Sequence, residues 1–283
     1  MTAPASLARL VALAAIWGAS FLFVRITSPV IGPVLTADLR MSIGGLSLAV
    51  WFAATGFNAG WRRWWPHYVV MGILTSALPF YLFAYGALSL PAGMLAVINA
   101  TSPAWGALFA AWLLRERLSG RAIAGLILGV CGVAVITRPE AGADFAWLPA
   151  LAATGAAACY GLSGSYMRRW AQDAPSRGMA LGTQIAGGAL LAPFIAFSPP
   201  LAAPTPLVIA CVLALGVVCS AVAYILYFRL VTDIGPAGAL TVTYLIPIFG
   251  VTWGALFLGE TISLWMVGGG ALVLLGTYLV LRR

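Results

Sequence analysis

Pro103 and Pro247 stand near the middle of long apolar runs. A proline there withdraws one backbone N–H and frees the carbonyl four residues earlier, which belongs to Asn99 in one run and Thr243 in the other. Unpaired backbone at membrane depth is tolerated only against protein or beside a water-filled cavity, so these runs are candidates to line a path. A tightly packed kink without a ligand is the alternative. Pro79 gives a third run the same opening. Thirteen residues after Pro103 and Pro247 come Glu116 and Glu260, and three residues later Ser119 and Ser263. The serines read as N-caps of the next helices. The glutamates read either as structural groups at span ends or as gates, one at each end of a path.

A second set consists of polar and aromatic side chains inside apolar runs: Trp17, Ser20, Tyr81, Tyr85, Asn99, Tyr160, Ser163, Gln184, Tyr224, Tyr227 and Tyr244. A hydroxyl or amide in hydrocarbon needs a partner, and several that converge form a site for a small polar or aromatic solute. Singly, each can equally serve as interhelical glue.

Other chemistries lack their residues. There is no H-E-x-x-H, no G-x-S-x-G and no pair of carboxylates within a run. The basic residues are all arginines, so a P-loop lysine, a Schiff-base lysine and a Ser-Lys dyad are absent together. Cys131, Cys159, Cys211 and Cys219 show no C-x-x-C spacing and read as packing residues. The sequence therefore predicts neither an enzyme nor a metal or cofactor site. The net charge of +8 is scattered over short loops without forming a stripe, which argues against nucleic acid.

The elements that must position these residues follow from hydropathy. With 62% hydrophobic and 8% charged residues in 283, the chain is an all-α integral membrane protein whose main partner is the lipid bilayer. Apolar runs near 7–27, 36–55, 67–87, 91–114, 119–137, 146–168, 177–197, 206–230, 236–258 and 262–281 predict ten transmembrane helices. The first run could pass for a secretory signal, but the repeat below argues that it stays.

Ten spans place Arg9, Arg62, Arg63, Arg115, Arg117, Arg121, Arg168, Arg169, Arg177, Arg229, Arg282 and Arg283 on one side and only Arg25, Arg40 and Arg138 on the other. The positive-inside rule then puts both termini in the cytoplasm. Arg25 and Asp38 could pair near the outer mouth or snorkel to headgroups. No carboxylate is expected at mid-membrane, which favours a facilitator or an exporter with less visible coupling groups.

Residues 103–138 slide onto 247–282 without a gap and with ten identities in 36 positions, among them Pro103/Pro247, Gly106/Gly250, Glu116/Glu260, Gly125/Gly269 and Gly132/Gly276. Trp17-Gly18 likewise matches Tyr160-Gly161, and Arg25 matches Arg168. The chain thus reads as two repeats, 1–141 and 142–283. Five helices per repeat invert the second copy relative to the first. Trp17 and Tyr160 are then expected to meet near the pseudo-twofold axis. The glycines of the fifth and tenth runs give small-residue faces, for packing within a monomer or for a homodimer.

At Trp17-Gly18-Ala19-Ser20-Phe21 with Arg25, at the two Pro-to-Glu spacings and at the Gly-rich run after each glutamate, the sequence resembles the ten-helix EamA-type exporters of the drug/metabolite transporter superfamily. The resemblance implies a bacterial inner-membrane exporter with a central cavity lined by spans 1, 3, 4, 6, 8 and 9. It is most similar to the aromatic amino acid exporter type, which implies a secondary transporter of aromatic or other neutral amino acids. Cationic drugs, or phosphorylated or nucleotide-linked sugars, are the alternatives. Tyr160, where a Trp is common, and Arg25, where many relatives have Lys, depart from the pattern.

Overall fold

The computed structural model describes residues 3–138 and 146–281. Glu140, Asp144, the 141/142 repeat boundary, Arg282 and Arg283 lie outside the described residues. Within them the chain is helical and has no strand. Its rods are α1 (Ala3–Ile31), α2 (Pro33–Ala54), α3 (Trp61–Gly86), α4 (Ala92–Leu113), α5 (Gly120–Ile136), α6 (Trp147–Trp170), α7 (Ser176–Ile195), α8 (Pro206–Gly235), α9 (Gly238–Leu258) and α10 (Leu264–Leu281). Eight are long and apolar enough to cross a membrane. The other two are α5, which is apolar but has 17 residues, and the less apolar α6.

Local sequence sets the starts. Pro33 and Pro206 occupy first-turn positions, where a missing N–H costs nothing. Thr205 caps α8 through Val208 N at 3.3 Å. Ser119 accepts from Ala122 N at 3.2 Å and Ser263 from Met266 N at 3.1 Å, the two caps expected of them.

Three rods are interrupted. In α3 the ladder shifts to π spacing over Ile73–Ala77, just before Pro79, which cannot donate to Thr75. In α8 the same shift covers Ala214–Val222 without any proline. Moved by 144 residues, the first π segment falls within the second. In α4 the helix opens at Ala100–Thr101 before Pro103, and the freed Asn99 carbonyl accepts from Ser102 Oγ at 2.6 Å. Pro247 lies inside α9 without ending it.

Packing rests on glycine crossings. A methyl group added at Gly125 would lie 2.5 Å from the Gly276 carbonyl oxygen, and one at Gly276 the same distance from the Gly125 oxygen. Gly132 and Gly269 meet each other's carbonyl oxygens at 2.7 Å in the same sense. Rising numbers on α5 meet falling numbers on α10, so the two helices are antiparallel. The small-residue faces read from the sequence thus pack on each other within the chain. Gly18 of α1 sits on Phe249 and Gly250 of α9, while Gly161 of α6 sits on Trp105 and Gly106 of α4. Gly72 of α3 abuts Ala186 and Gly187 of α7, and Gly216 of α8 abuts Ile43 and Gly44 of α2.

Replacing Gly132 by valine forces α5 and α10 apart against backbone atoms and is expected to destabilise the protein by about 1–3 kcal/mol. Gly268→Ala, one residue from Gly269 with nothing within 4 Å of the added carbon, is expected to leave stability unchanged or slightly raised. Thermal unfolding of the two variants in detergent reads the contrast.

Candidate functional site

The π segments bring together side chains from α2, α3, α7 and α8. Arg40 Nε donates to Ser220 Oγ at 3.3 Å, and Gln184 Nε2 donates to Ser76 Oγ, also at 3.3 Å. Position 40 plus 144 is 184, and 76 plus 144 is 220. One hydrogen bond is therefore made twice between the two halves of the chain, with the donor from each half in turn. Counted along α2 at 1.5 Å per residue, Arg40 lies roughly 10 Å inside the helix start and about 5 Å from its midpoint. Ser76, Gln184 and Ser220 lie near the middles of their own rods. The loop count that set Arg40 among the face arginines is thus corrected: it lies seven positions past Pro33, about two helical turns into α2.

Around this group stand the aromatic residues. The Arg40 guanidinium carbon is 3.8 Å from the centre of the Phe80 ring, and its charge reaches the Tyr160 and Tyr224 hydroxyls. Both tyrosines are half-buried. Trp17 packs on Tyr227 at 5.7 Å, and Tyr160 stacks on Phe83 at 6.2 Å. Trp17 and Tyr160 thus pair with residues 144 apart on α8 and α3, and the structure shows no ring pair between the two.

The remaining predicted residues divide. Ser163 Oγ turns back to the Tyr160 carbonyl at 2.7 Å, as Ser20 Oγ does to the Trp17 carbonyl at 2.6 Å, so both hydroxyls serve their own helices. Asn99 Oδ1 and Gln184 Oε1 are buried without a hydrogen-bond partner. Tyr81 and Tyr85 line a groove of about 380 Å³ between α3 and α6 with Leu82, Leu148, Leu151, Ala152 and Gly155, where Leu148 and Leu151 are exposed. Tyr244 lies within electrostatic reach of the exposed Tyr278 of α10, apart from the Arg40 group.

Asp38 was expected near a span end. It is buried one turn into α2, with Oδ2 3.4 Å from Ser42 Oγ and Oδ1 unpartnered. It makes no ion pair with Arg25, whose Nη1 donates to the carbonyls of Ala87 at 2.6 Å and Leu88 at 3.3 Å.

The two glutamates behave differently. Glu260, just past α9, accepts from Ala92 N at 2.7 Å and Gly93 N at 3.1 Å, so it caps α4 from across the chain. Glu116, just past α4, instead pairs with Arg168 at the end of α6, and both side chains are about half exposed. Arg25 and Arg168 are the matching arginines. At one end of the bundle, therefore, Arg25 and Glu260 hold the α3–α4 turn. At the other end, Arg168 and Glu116 hold each other. Burial follows: Leu95 and Ala96 of α4 are fully buried, whereas Leu240 of α9 is 48% exposed.

Among the described residues no three His, Cys, Asp or Glu side chains gather as a metal site. The arrangement offers one fixed cation, hydroxyls, amides and aromatic faces, which suits holding a solute.

The chain is 27% identical over 271 residues to the uncharacterized transporter YvbV of Bacillus subtilis, covering 95% of this chain and 88% of that one. It is 24% identical over 271 residues to a probable terminal-alkyne amino-acid exporter of Streptantibioticus cattleyicolor, covering 94% and 90%. A solved crystal structure superposes with a TM-score of 0.68 at 23% identity, over 97% of this chain and 96% of the other, which speaks to the fold. The model of the EamA-like transporter family matches twice in succession, at residues 6–138 and 147–282. The chain belongs to the EamA-like transporter family.

Proposed function

We propose that this membrane transporter consists of two five-helix inverted repeats, 1–141 and 142–283, with all ten rods crossing the bilayer. On this reading it exports aromatic or other neutral amino acids from a bacterial cytoplasm by alternating access. The duplicated hydrogen bond, Arg40 to Ser220 and Gln184 to Ser76, carries the reading. The reciprocal contacts of Gly125 with Gly276 and Gly132 with Gly269 support the inversion, because a twofold axis across two antiparallel helices generates such pairs. With Arg40 removed, the arginine split is twelve to two and still favours cytoplasmic termini. The amino-acid substrate is supported by the sequence resemblance, by the exporter relative and by the aromatic walls around Tyr160 and Tyr224.

The unequal ends supply the gating. Glu260 and Arg25 close the outer end, while Glu116 and Arg168, paired in the open, leave the cytoplasmic end accessible. In the opposite state Glu116 caps the N-terminus of α9, and Glu260 is released. The structure on this reading is the inward-facing form.

Purified protein in liposomes is expected to move L-phenylalanine or another neutral amino acid above the level of empty vesicles, with Trp17→Ala lowering flux at least tenfold. A broad panel without any flux overturns the transport reading. The two glutamates provide a sharper test of gating. Glu260→Gln is expected to lower both flux and thermal stability, since it weakens charge-assisted bonds of about 1.5–3 kcal/mol each. Glu116→Gln is expected to lower flux comparably while changing stability by less than about 1 kcal/mol, because its pair is exposed. Equal stability losses in the two variants sink the gating assignment.

A further inference from the structure

Arg40 is a permanent cation held near mid-bundle without an anion. Of the five N–H donors of a guanidinium, one is used, by Ser220 Oγ. The described carboxylates leave it alone, since the ion pairs they form are Arg9 with Asp233 and Arg168 with Glu116. Asp38, two residues earlier on α2, projects roughly 200° around the helix and takes Ser42 instead. The Phe80 face beneath Arg40 softens the charge without neutralising it. A cation inside a membrane is costly and usually faces a water-filled path or a counter-ion. Arg40 and its neighbours Tyr160 and Tyr224 are each partly exposed, so the guanidinium is not sealed into the core.

The repeat shows that this charge is not a packing requirement. Its matching position carries Gln184, which makes the equivalent bond to Ser76 as a neutral amide. A glutamine is therefore sufficient for the interhelical contact, and the guanidinium supplies something the contact does not need.

We infer that Arg40 is the substrate's anion anchor and that the solutes carried are monocarboxylates with an apolar or aromatic body. The planar fork of free N–H groups matches two carboxylate oxygens, with the Ser220 hydroxyl alongside as a further polar group. A single cation balances one negative charge. A phosphate dianion calls for a second cation, and Arg25 is already engaged with the Ala87 and Leu88 carbonyls. Cationic solutes are repelled. This inference rests on the central group being the transport site and narrows what enters it.

The test uses full-length protein in detergent, with thermal unfolding followed against benzoate, benzamide, phenyl phosphate, L-phenylalanine and L-phenylalaninamide. Benzoate and L-phenylalanine are expected to raise the Tm in a saturable way, and the two amides to leave it unchanged. Arg40→Gln is expected to weaken carboxylate binding roughly 10- to 100-fold, with the Tm of the unliganded protein unchanged or higher, because the glutamine reproduces the arrangement at position 184. Arg40→Lys keeps the charge without the fork and is expected to fall between. The assignment is overturned if the amides bind as well as the acids, if phenyl phosphate binds more tightly than benzoate, or if neither carboxylate shifts the Tm. It is equally overturned if Arg40→Gln binds unchanged, or if it lowers the unliganded Tm, which marks a structural role. Flux of amides equal to that of acids in liposomes removes the anchor and leaves the transport reading intact, whereas absence of all flux removes the transport reading itself.

Discussion

Backbone-to-backbone approach at glycine is the constraint on which the remaining features depend. Lipid tails are as apolar as leucine, so burying apolar area between helices gains little, and association must come from close packing and interhelical hydrogen bonds. Gly18 on α9, Gly161 on α4, Gly72 on α7 and Gly216 on α2 bring helix axes near enough for short side chains to bridge them. Serines 76 and 220 are short. Their hydroxyls meet Gln184 and Arg40 because α3 and α8 lie almost against α7 and α2. Larger residues at these crossings would push the serines out of reach and dissolve the polar centre.

The π segments are the second consequence. A π turn advances less per residue and re-aims the side chains that follow it. In α3 and α8 it lies at corresponding positions, at the level of Ser76 and Ser220, ahead of Phe80 and Phe83 on one helix and Tyr224 and Tyr227 on the other. Proline accounts for the first segment. In the second, Ser220 Oγ bonds the Leu215 carbonyl five residues back at 3.1 Å, so a side chain serves the widened ladder. Local sequences differ while geometry agrees, which points to packing against α7 and α2 as the common cause.

This separates what the sequence made legible from what it hid. Proline and glycine spacing located the interruption at Asn99 and the α5–α10 face because those residues act through their own backbone. Ser119 and Ser263 were legible as caps for the same reason. Arg40 was not: a charge seven residues from a helix start looks like a face residue until its depth and neighbours are known. Tyr81, Tyr85 and Tyr244 were read as central from apolar context alone; Tyr81 packs with Tyr160 against Met41 and Phe80, and which side of a helix each tyrosine occupies depends on neighbours far away in sequence. The aromatic pairing was half legible. Trp17 and Tyr160 correspond, but correspondence fixes equal surroundings, met on Tyr227 and Phe83, and not mutual contact.

The least legible feature is the inequality of the ends, because matching sequences predict matching contacts, whereas Glu260 sits on backbone N–H groups and Glu116 on Arg168. On the proposed gating, its energetics fit a two-state device. A carboxylate on two backbone N–H groups is worth several times an exposed ion pair, so the closed latch at Glu260 outweighs the open pair at Glu116. If the two latches exchange, the same types of bond are lost at one end and gained at the other, and the net difference stays within the few kcal/mol that keep both states populated. Departures from symmetry then set the bias. Before Glu260 the chain turns at Gly259 with φ of 64°, and before Glu116 it turns at Arg115 with φ of 56°. The left-handed conformation costs a side chain about 1 kcal/mol that glycine does not bear. The loop holding Glu116 is therefore the more strained of two otherwise matching turns, and under the proposed gating a movement of Glu116 that relaxes Arg115 favours departure from the form seen here.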